Sequence, residues 1–285
     1  MAFIECDRLT HVYLKNTPME TVALRDVTLA IDEGEFVAII GPTGSGKSTL
    51  VQHFNALLRP TSGSVRVAGQ DLGDPKADLK RTRQQVGLLF QYPEHQLFEE
   101  SVFEDVAFGP RNMGLNTDEV KTRVQEALVA VGLDPAAFGP RSPFALSGGE
   151  MRRVAAAGVL AMSPKVLVLD EPAAGLDPRG KVEILGRFRS LHAQRGITVV
   201  LITHDMDEAA ALAQRVIVLD EGRVVMDGPA RTVFTRADDL ARLGLTVPTV
   251  TNVVRRLRGH GLRIRDDVLN ADEARSAIRE ALGWN

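Results

Sequence analysis

Gly41-Pro42-Thr43-Gly44-Ser45-Gly46-Lys47-Ser48-Thr49 follows a short apolar run, Phe36-Val37-Ala38-Ile39-Ile40, and leads into an amphipathic segment at 49–58. A buried strand, a glycine turn and a helix start form the setting that the spacing G-x-x-x-x-G-K-[ST] requires. Glycines admit backbone N–H groups around a polyphosphate with no Cβ in the way. The helix opening near Lys47 directs its positive end and its unpaired N–H groups at the same anion. Lys47 adds a point charge for the β- and γ-phosphates, and Ser48 a hydroxyl ligand for Mg2+. The stretch reads as a nucleotide phosphate loop.

Three further apolar runs flank it in the chain. Val86-Gly87-Leu88-Leu89-Phe90 ends in Gln91, Val166-Leu167-Val168-Leu169 ends in Asp170-Glu171-Pro172, and Thr198-Val199-Val200-Leu201-Ile202 ends in Thr203-His204-Asp205. A helical pattern at 178–194 separates the last two, and strand, helix and strand in alternation predict a parallel sheet with crossover helices. Ligands of such sheets bind outside the carboxyl ends of the strands. The phosphate loop, Gln91, Asp170-Glu171 and His204 are therefore expected along one edge. Asp170, emerging after four apolar residues, can hold Mg2+ directly or through water. Glu171 can orient and deprotonate a water in line with the γ-phosphate. Gln91 and His204 taken singly are also what any polar strand end looks like. Metal ligation by His204 is not expected, because the six histidines show no close paired spacing.

The rest of the chain is read around this frame. Residues 3–40 suggest short strands at 3–4, 11–13 and 27–31. Tyr13 fits either a half-buried strand aromatic or a ring stacked on a base. The segment after the phosphate loop predicts a helix burying Leu50, Phe54, Leu57 and Leu58 and stopping at Pro60. Residues 78–85 form a polar, basic helix candidate. From 93 to 161 the pattern is helical, with segments at 101–108, 117–131 and 149–162 separated by Gly-Pro breaks at 109–110 and 139–140. Within it, Ser147-Gly148-Gly149-Glu150 is by itself a capping box, and Asp177-Pro178 an N-cap followed by a first-turn proline. A hairpin turn is expected at 220–223. Beyond Pro248, Val250, Val253, Val254 and Leu257 fall at helical spacing, and Asn270 with Glu273 caps a last helix carrying Ala274, Ile278 and Leu282. Arg255, Arg256, Arg258, Arg263 and Arg265 read as a solvated face.

Composition bounds the function. The 285 residues are 44% apolar and 25% charged with a net charge of −3, the profile of a globular chain without a nucleic-acid surface. The single cysteine, Cys6, permits no intrachain disulfide and suits a reducing compartment. No signal pattern is visible around Glu5 and Asp7, and the longest apolar stretch, at 154–162, falls short of the roughly 18–20 residues a membrane span needs. Service to a membrane would come from its cytosolic face, docked on another protein.

Taken in order, GPTGSGKST, Gln91, LSGGE, VLVLDEP, AGLD and the ITHD around His204 resemble the nucleotide-binding subunit of an ABC transporter over about residues 1–235. The resemblance implies an α/β P-loop NTPase core of ABC type, with an N-terminal antiparallel β subdomain and an inserted helical subdomain at about 92–162. It implies ATP and Mg2+ held between two such domains closed head to tail. Ser147, Gly148, Gly149 and Glu150 would then serve the partner's γ-phosphate, and Asp177 would lie on the seam. Glu171, His204 and Gln91 would act in hydrolysis, with Gln91 also near the Mg2+ held by Ser48 and Asp170, and Tyr13 would stack on adenine. A narrower resemblance lies in QYPEHQLFEESV, in DVAFGP, and in Met151-Arg152-Arg153-Val154-Ala155 with Gly158-Val159-Leu160-Ala161-Met162. It is similar to the ATPases of energy-coupling factor transporters, and to the second of their two paralogous types, which also fits the insertion at 17–20. Those systems import vitamins or transition-metal ions. The implied partners are a paralogous ATPase subunit, or a second copy, a transmembrane coupling protein and a membrane-embedded substrate-binding subunit. Residues 236–285 form a C-terminal helical extension, of which the stretch from Leu243 fits the same group. Glu150 departs from the usual glutamine and places an extra carboxylate near the partner's γ-phosphate. The rivals are an ATPase of another ABC transporter, a relative in chromosome maintenance or translation, and a non-transport ATP-gated clamp. A long coiled coil or tandem motif set would mark the second rival and neither is present, while intact Asp170, Glu171 and His204 oppose the third.

Overall fold

The computed structural model describes residues 2–284. The chain opens with β1 (Ala2–Tyr13), β2 (Thr21–Asp32), β3 (Phe36–Ile40), the phosphate loop and α1 (Lys47–Phe54), then β4 (Ser62–Val67), β5 (Gln70–Asp71), α2 (Leu79–Gln85) and β6 (Val86–Leu89). A helical block follows: α3 (Val102–Asn112), α4 (Thr117–Ala130), α5 (Pro135–Phe138) and α6 (Gly148–Ala161). Alternation resumes with β7 (Val166–Asp170), α7 (Pro178–Arg195), β8 (Thr198–Ile202), α8 (Met206–Leu212), β9 (Arg215–Asp220) and β10 (Arg223–Pro229). The last helices are α9 (Ala230–Thr235), α10 (Ala237–Arg242), α11 (Thr249–Gly259) and α12 (Ala271–Ala281).

Two sheets result, an antiparallel one in the order β2-β1-β4-β5 and a larger one in the order β10-β9-β3-β8-β7-β6. The larger sheet is parallel from β9 to β6, and only β10 runs antiparallel. Its central strands are apolar throughout because both faces are covered. On β3, Phe36, Ala38 and Ile40 join a core with Val106, Leu128, Leu160 and Phe188 of the helices. Val37 and Ile39 point the other way, into a second core with Leu50 and Phe54 of α1 and Ile4, Leu24 and Ile31 of the antiparallel sheet. The phosphate loop thus leaves a strand clamped from both sides.

Several local expectations are corrected. The N-terminal strands are not short: β1 and β2 are 12 residues each and pair through four register slips, two of which carry left-handed residues, Arg8 (φ 46°) and Asp26 (φ 49°). Threonines on the facing strand satisfy the amides freed there, with Arg8 N–H donating to Thr28 Oγ1 (3.0 Å) and Asp26 N–H to Thr10 Oγ1 (3.1 Å). Helix α1 stops at Phe54, because Ala56 turns left-handed (φ 58°), so Leu57 is exposed. Gly109-Pro110 does not break α3, which runs on to Asn112. Gly109 is there for packing: a Cβ would meet Met162 Cγ of the segment after α6 at 2.7 Å.

At the C-terminus, Leu240, Leu243 and Leu245 still pack on the main core, whereas Val254, Ile264, Val268, Ala274 and Ala277 form a small core of their own. Thr249 joins this hairpin to α8 by two bonds to Asp207 (2.8 and 2.6 Å). The arginines here form a largely solvated face, as expected, on which Arg255 pairs with Asp238, Arg258 with Asp266 and Arg265 with Asp267. Asn270 caps α12 as expected, but Glu273 turns to the Leu269 amide and to Arg231 (2.9 and 3.0 Å). The Arg231 guanidinium holds the Glu273 carboxyl at about 2. A depressed carboxyl stabilises the fold above its unfolded range and loses that contribution as pH falls toward its folded value. Glu273→Gln should therefore cost about 1 kcal/mol at pH 7, after discounting for the partly exposed pair, and almost nothing near pH 2. Urea unfolding of both proteins across that range checks it, and a pH-independent difference would refute it.

Candidate functional site

Within the phosphate loop the backbone, rather than the side chains, decides the shape. Gly41 (φ 156°) passes so close to β9 that a Cβ would sit 2.1 Å from the Leu219 carbonyl oxygen, and Gly46 (φ 101°) would meet the Ala23 carbonyl oxygen at 2.5 Å. Gly46 is also the N-cap of α1 and supplies no side chain to its first amides, which stay available to an anion. Lys47 Nζ donates to the carbonyls of Gly41 and Pro42 (both 2.9 Å), so the ammonium lies along the loop. Burial lowers its pKa, opposed by the nearby Glu171 and Asp170 carboxylates.

Next to it stand the ends of three strands. Asp170 is buried at the end of β7; burial raises its pKa, and a hydrogen bond from Ser48 works against that. Two oxygen donors thus lie side by side under the loop, a set that suits a hard divalent ion completed by phosphate and water. Among the described residues no cluster of three or more His, Cys, Asp or Glu side chains could hold a metal alone. Glu171 takes a left-handed backbone (φ 49°), with its N–H donating to the Ile202 carbonyl of β8 (2.9 Å). Strain of this kind at a glutamate is costly and is kept where the surroundings over-determine it. Its carboxylate accepts from Gln91 Nε2 (2.9 Å) on one oxygen and from His204 Nδ1 (3.0 Å) on the other. Gln91, Asp170, Glu171, His204, Lys47 and Ser48 therefore meet at one sheet edge. Tyr13 lies at the same end of the molecule, its hydroxyl 3.2 Å from Thr49 Oγ1 and its ring partly exposed.

Ser147, Gly148, Gly149, Glu150 and Asp177 gather elsewhere, around a separate cleft of about 500 Å³ that no phosphate-loop residue lines. The capping box is real: Glu150 N–H donates to Ser147 Oγ (3.4 Å), and Glu150 Oε2 accepts from the Ser147 N–H (2.8 Å) and hydroxyl (2.7 Å). Those bonds hold the Glu150 carboxyl below its usual range. Asp177 caps α7 through the Gly180 amide (2.6 Å). Yet this chain does not itself need the two glycines. A Cβ on Gly148 would meet nothing within 4 Å, and one on Gly149 would only touch Leu176 at 3.6 Å.

Some of the linkage was invisible in sequence. Arg152 is buried on α6; it donates to the Ala174 carbonyl and to both oxygens of Glu94 (3.4 and 3.3 Å), tying the helix behind Ser147 to the segments after Gln91 and before Asp177. Lys181 of α7 bridges Asp205 (2.6 Å) and Glu208 (2.8 Å), fixing the turn that carries His204. Only an arginine amid the apolar positions of α6 hinted at the first, and nothing local hinted at the second.

Known proteins match this arrangement. The family described as ABC transporter matches residues 24–174. The energy-coupling factor transporter ATP-binding protein EcfA2 of Symbiobacterium thermophilum is 56% identical over 276 residues, 97% of this chain and 95% of the relative. Among solved structures, cbiO1 of Clostridium perfringens, part of the ABC transporter complex cbiONQ, superposes with a TM-score of 0.76 at 36% identity, covering 92% of this chain and 99% of that one. The ATP-binding cassette MJ0796, a dimer in a post-hydrolysis state bound to ADP and Pi, gives 0.72 at 32% identity over 80% of this chain and 98% of its own. The chain belongs to the ABC transporter family, among its energy-coupling factor transporter ATP-binding proteins.

Proposed function

We propose that the chain is the ATP-hydrolysing subunit of an energy-coupling factor importer for vitamins or transition-metal ions. Its place is the cytoplasmic face of the cell membrane, paired with a paralogous ATPase and docked on a transmembrane coupling protein that sits beside a substrate-binding subunit. The observation that carries this is the split of its motifs. One chain holds the phosphate loop with Glu171 at one place and Ser147-Gly148-Gly149 at another, so a complete site needs two chains head to tail. The bare glycine backbone fits the same reading, since an anion on the partner can approach it.

Loop amides and Lys47 bind the β- and γ-phosphates, and Tyr13 faces the base. Ser48, Asp170 and Gln91 would hold Mg2+, which neutralises charge on the phosphates when bound. Glu171 takes a proton from the attacking water at its carboxylate oxygen. Gln91 and His204 fix that carboxylate by their two hydrogen bonds, and the largely exposed His204 would be free to reach the γ-phosphate of a bound ATP. Glu150 limits the site this chain completes for its partner, because its carboxylate engages the Ser147 hydroxyl and adds charge beside the phosphate. Glu150→Gln should raise turnover at that site about two- to fivefold, read as ATPase activity of pairs whose other site is disabled. A fall would refute it.

Docking falls to the apolar hollow of about 450 Å³ between α2, α3 and α6, lined by Leu97, Phe98, Phe108, Met113, Val159 and Met162. Phe98 and Phe108 meet edge to face (5.0 Å) and stay half exposed, as anchors for an inserted helix would be. Glu99 and Glu100 follow Phe98 and suit a basic coupling helix. Reversing both charges should weaken co-assembly with the membrane subunits about tenfold, measured by co-purification and by stimulated ATPase activity. Undiminished assembly would count against this docking face.

A further inference from the structure

One cluster near the nucleotide end is used by nothing above. His53 of α1 is wholly buried, and its Nδ1 lies 2.8 Å from the Thr49 carbonyl oxygen one turn earlier. Its Nε2 lies 3.2 Å from Nδ1 of His11, itself buried at the end of β1 and 3.1 Å from the Arg59 carbonyl oxygen. One tautomeric arrangement satisfies all of this. His53 Nδ1–H donates to Thr49, leaving the Nε2 lone pair to accept from His11 Nδ1–H, which also points at Arg59. The His53 ring is then neutral, in keeping with burial holding it at about 4.

The His11 ring meets His53 edge on (4.8 Å, 74°) and meets Tyr13 edge on (4.5 Å, 76°). Tyr13 closes the circuit through its hydroxyl to Thr49 Oγ1 (3.2 Å). The chain of contacts from His53 through His11 to Tyr13 thus begins and ends on Thr49, the residue after the Ser48 of the phosphate loop. Two leucines would fill this space as well, but they would not fix orientation. Two hydrogen-bonded rings with one allowed proton arrangement do.

We propose that His11 and His53 are positioning residues that set the Tyr13 ring at a fixed place relative to the phosphate loop, and so tune recognition of the base rather than of the phosphates. This rests on the reading that Tyr13 stacks on the base. The test compares Mg-ATP with Mg-tripolyphosphate, which lacks base and sugar, by calorimetry on the full chain. His11→Ala should weaken ATP about tenfold, the size of one lost base stack, while changing tripolyphosphate less than about twofold. His11→Phe keeps a ring edge against Tyr13 and guards against a folding defect; it should lose about threefold for ATP, with tripolyphosphate again spared. Equal losses for both ligands would mean a structural role only and would overturn the proposal. Tyr13→Ala separates the two readings. A tenfold ATP loss there with none in either His11 variant overturns the positioning role alone, and no loss in any variant overturns base stacking itself.

Discussion

Glu171→Gln is expected to lower steady-state ATP hydrolysis by at least about a hundredfold, the lower end of what a positioned general base contributes. The amide has nearly the same volume, keeps an oxygen to accept from Gln91 and can donate its NH2 to Nδ1 of the other His204 tautomer, so the geometry around it survives. What it loses is the capacity to take the water's proton. Mg-ATP affinity should stay within about twofold, and the closed pair should persist, because the step that releases it is blocked. Single-turnover phosphate release, together with the lifetime of the ATP-bound dimer by size exclusion, checks both. Hydrolysis at the wild-type rate would remove Glu171 from the role of base and leave the exposed His204 to supply it.

Arg152→Met is the second large effect, and it arises from packing rather than from a motif. Methionine keeps most of the stem but withdraws the guanidinium from a nearly closed site, where the side chain is 6% exposed and Glu94 22%. The Glu94 carboxylate and the Ala174 carbonyl lose their shared donor, at an expected cost of about 2–3 kcal/mol. Arg152 also spans three segments with different tasks: the helix behind Ser147, the stretch after Gln91 and the turn before Asp177. Activity stimulated by the membrane subunits should therefore fall more than activity of the ATPase pair alone. A double-mutant cycle with Glu94→Gln, followed by urea unfolding, isolates the link. Coupling of more than about 1 kcal/mol is expected, and strict additivity would show that the two side chains act independently.

Much of the site was legible because its determinants are local. Glycines at 41, 44 and 46 and the lysine at 47 state a backbone conformation and a charge in nine consecutive residues. The polar ends of the runs at 86–90, 166–169 and 198–202 needed one more rule, that parallel strands present their carboxyl ends together, and the sheet order supports it. Local rules failed where a neighbour distant in sequence decided the outcome. Gly109-Pro110 reads as a break, but the glycine is spent on close contact with Met162 and the helix continues. The expected short N-terminal strands are long ones, and at two of their register slips threonines on the facing strand take up the amides released there. Leu57 fits the apolar stripe after the phosphate loop, yet the left-handed Ala56 ends the helix first.

By itself, then, the sequence determined the phosphate loop, the acidic strand end at Asp170-Glu171 and the α/β alternation, since each depends on residues within a turn or a strand of one another. Only the tertiary structure decided that Glu171 is gripped by Gln91 and His204, that Arg152 reaches Glu94, and that His11 rests on His53 beneath Tyr13. The reason is physical. A buried polar side chain must find a partner wherever the fold brings one within about 3 Å, and across separations of 33 to 80 residues no periodicity in the chain records which partner that will be.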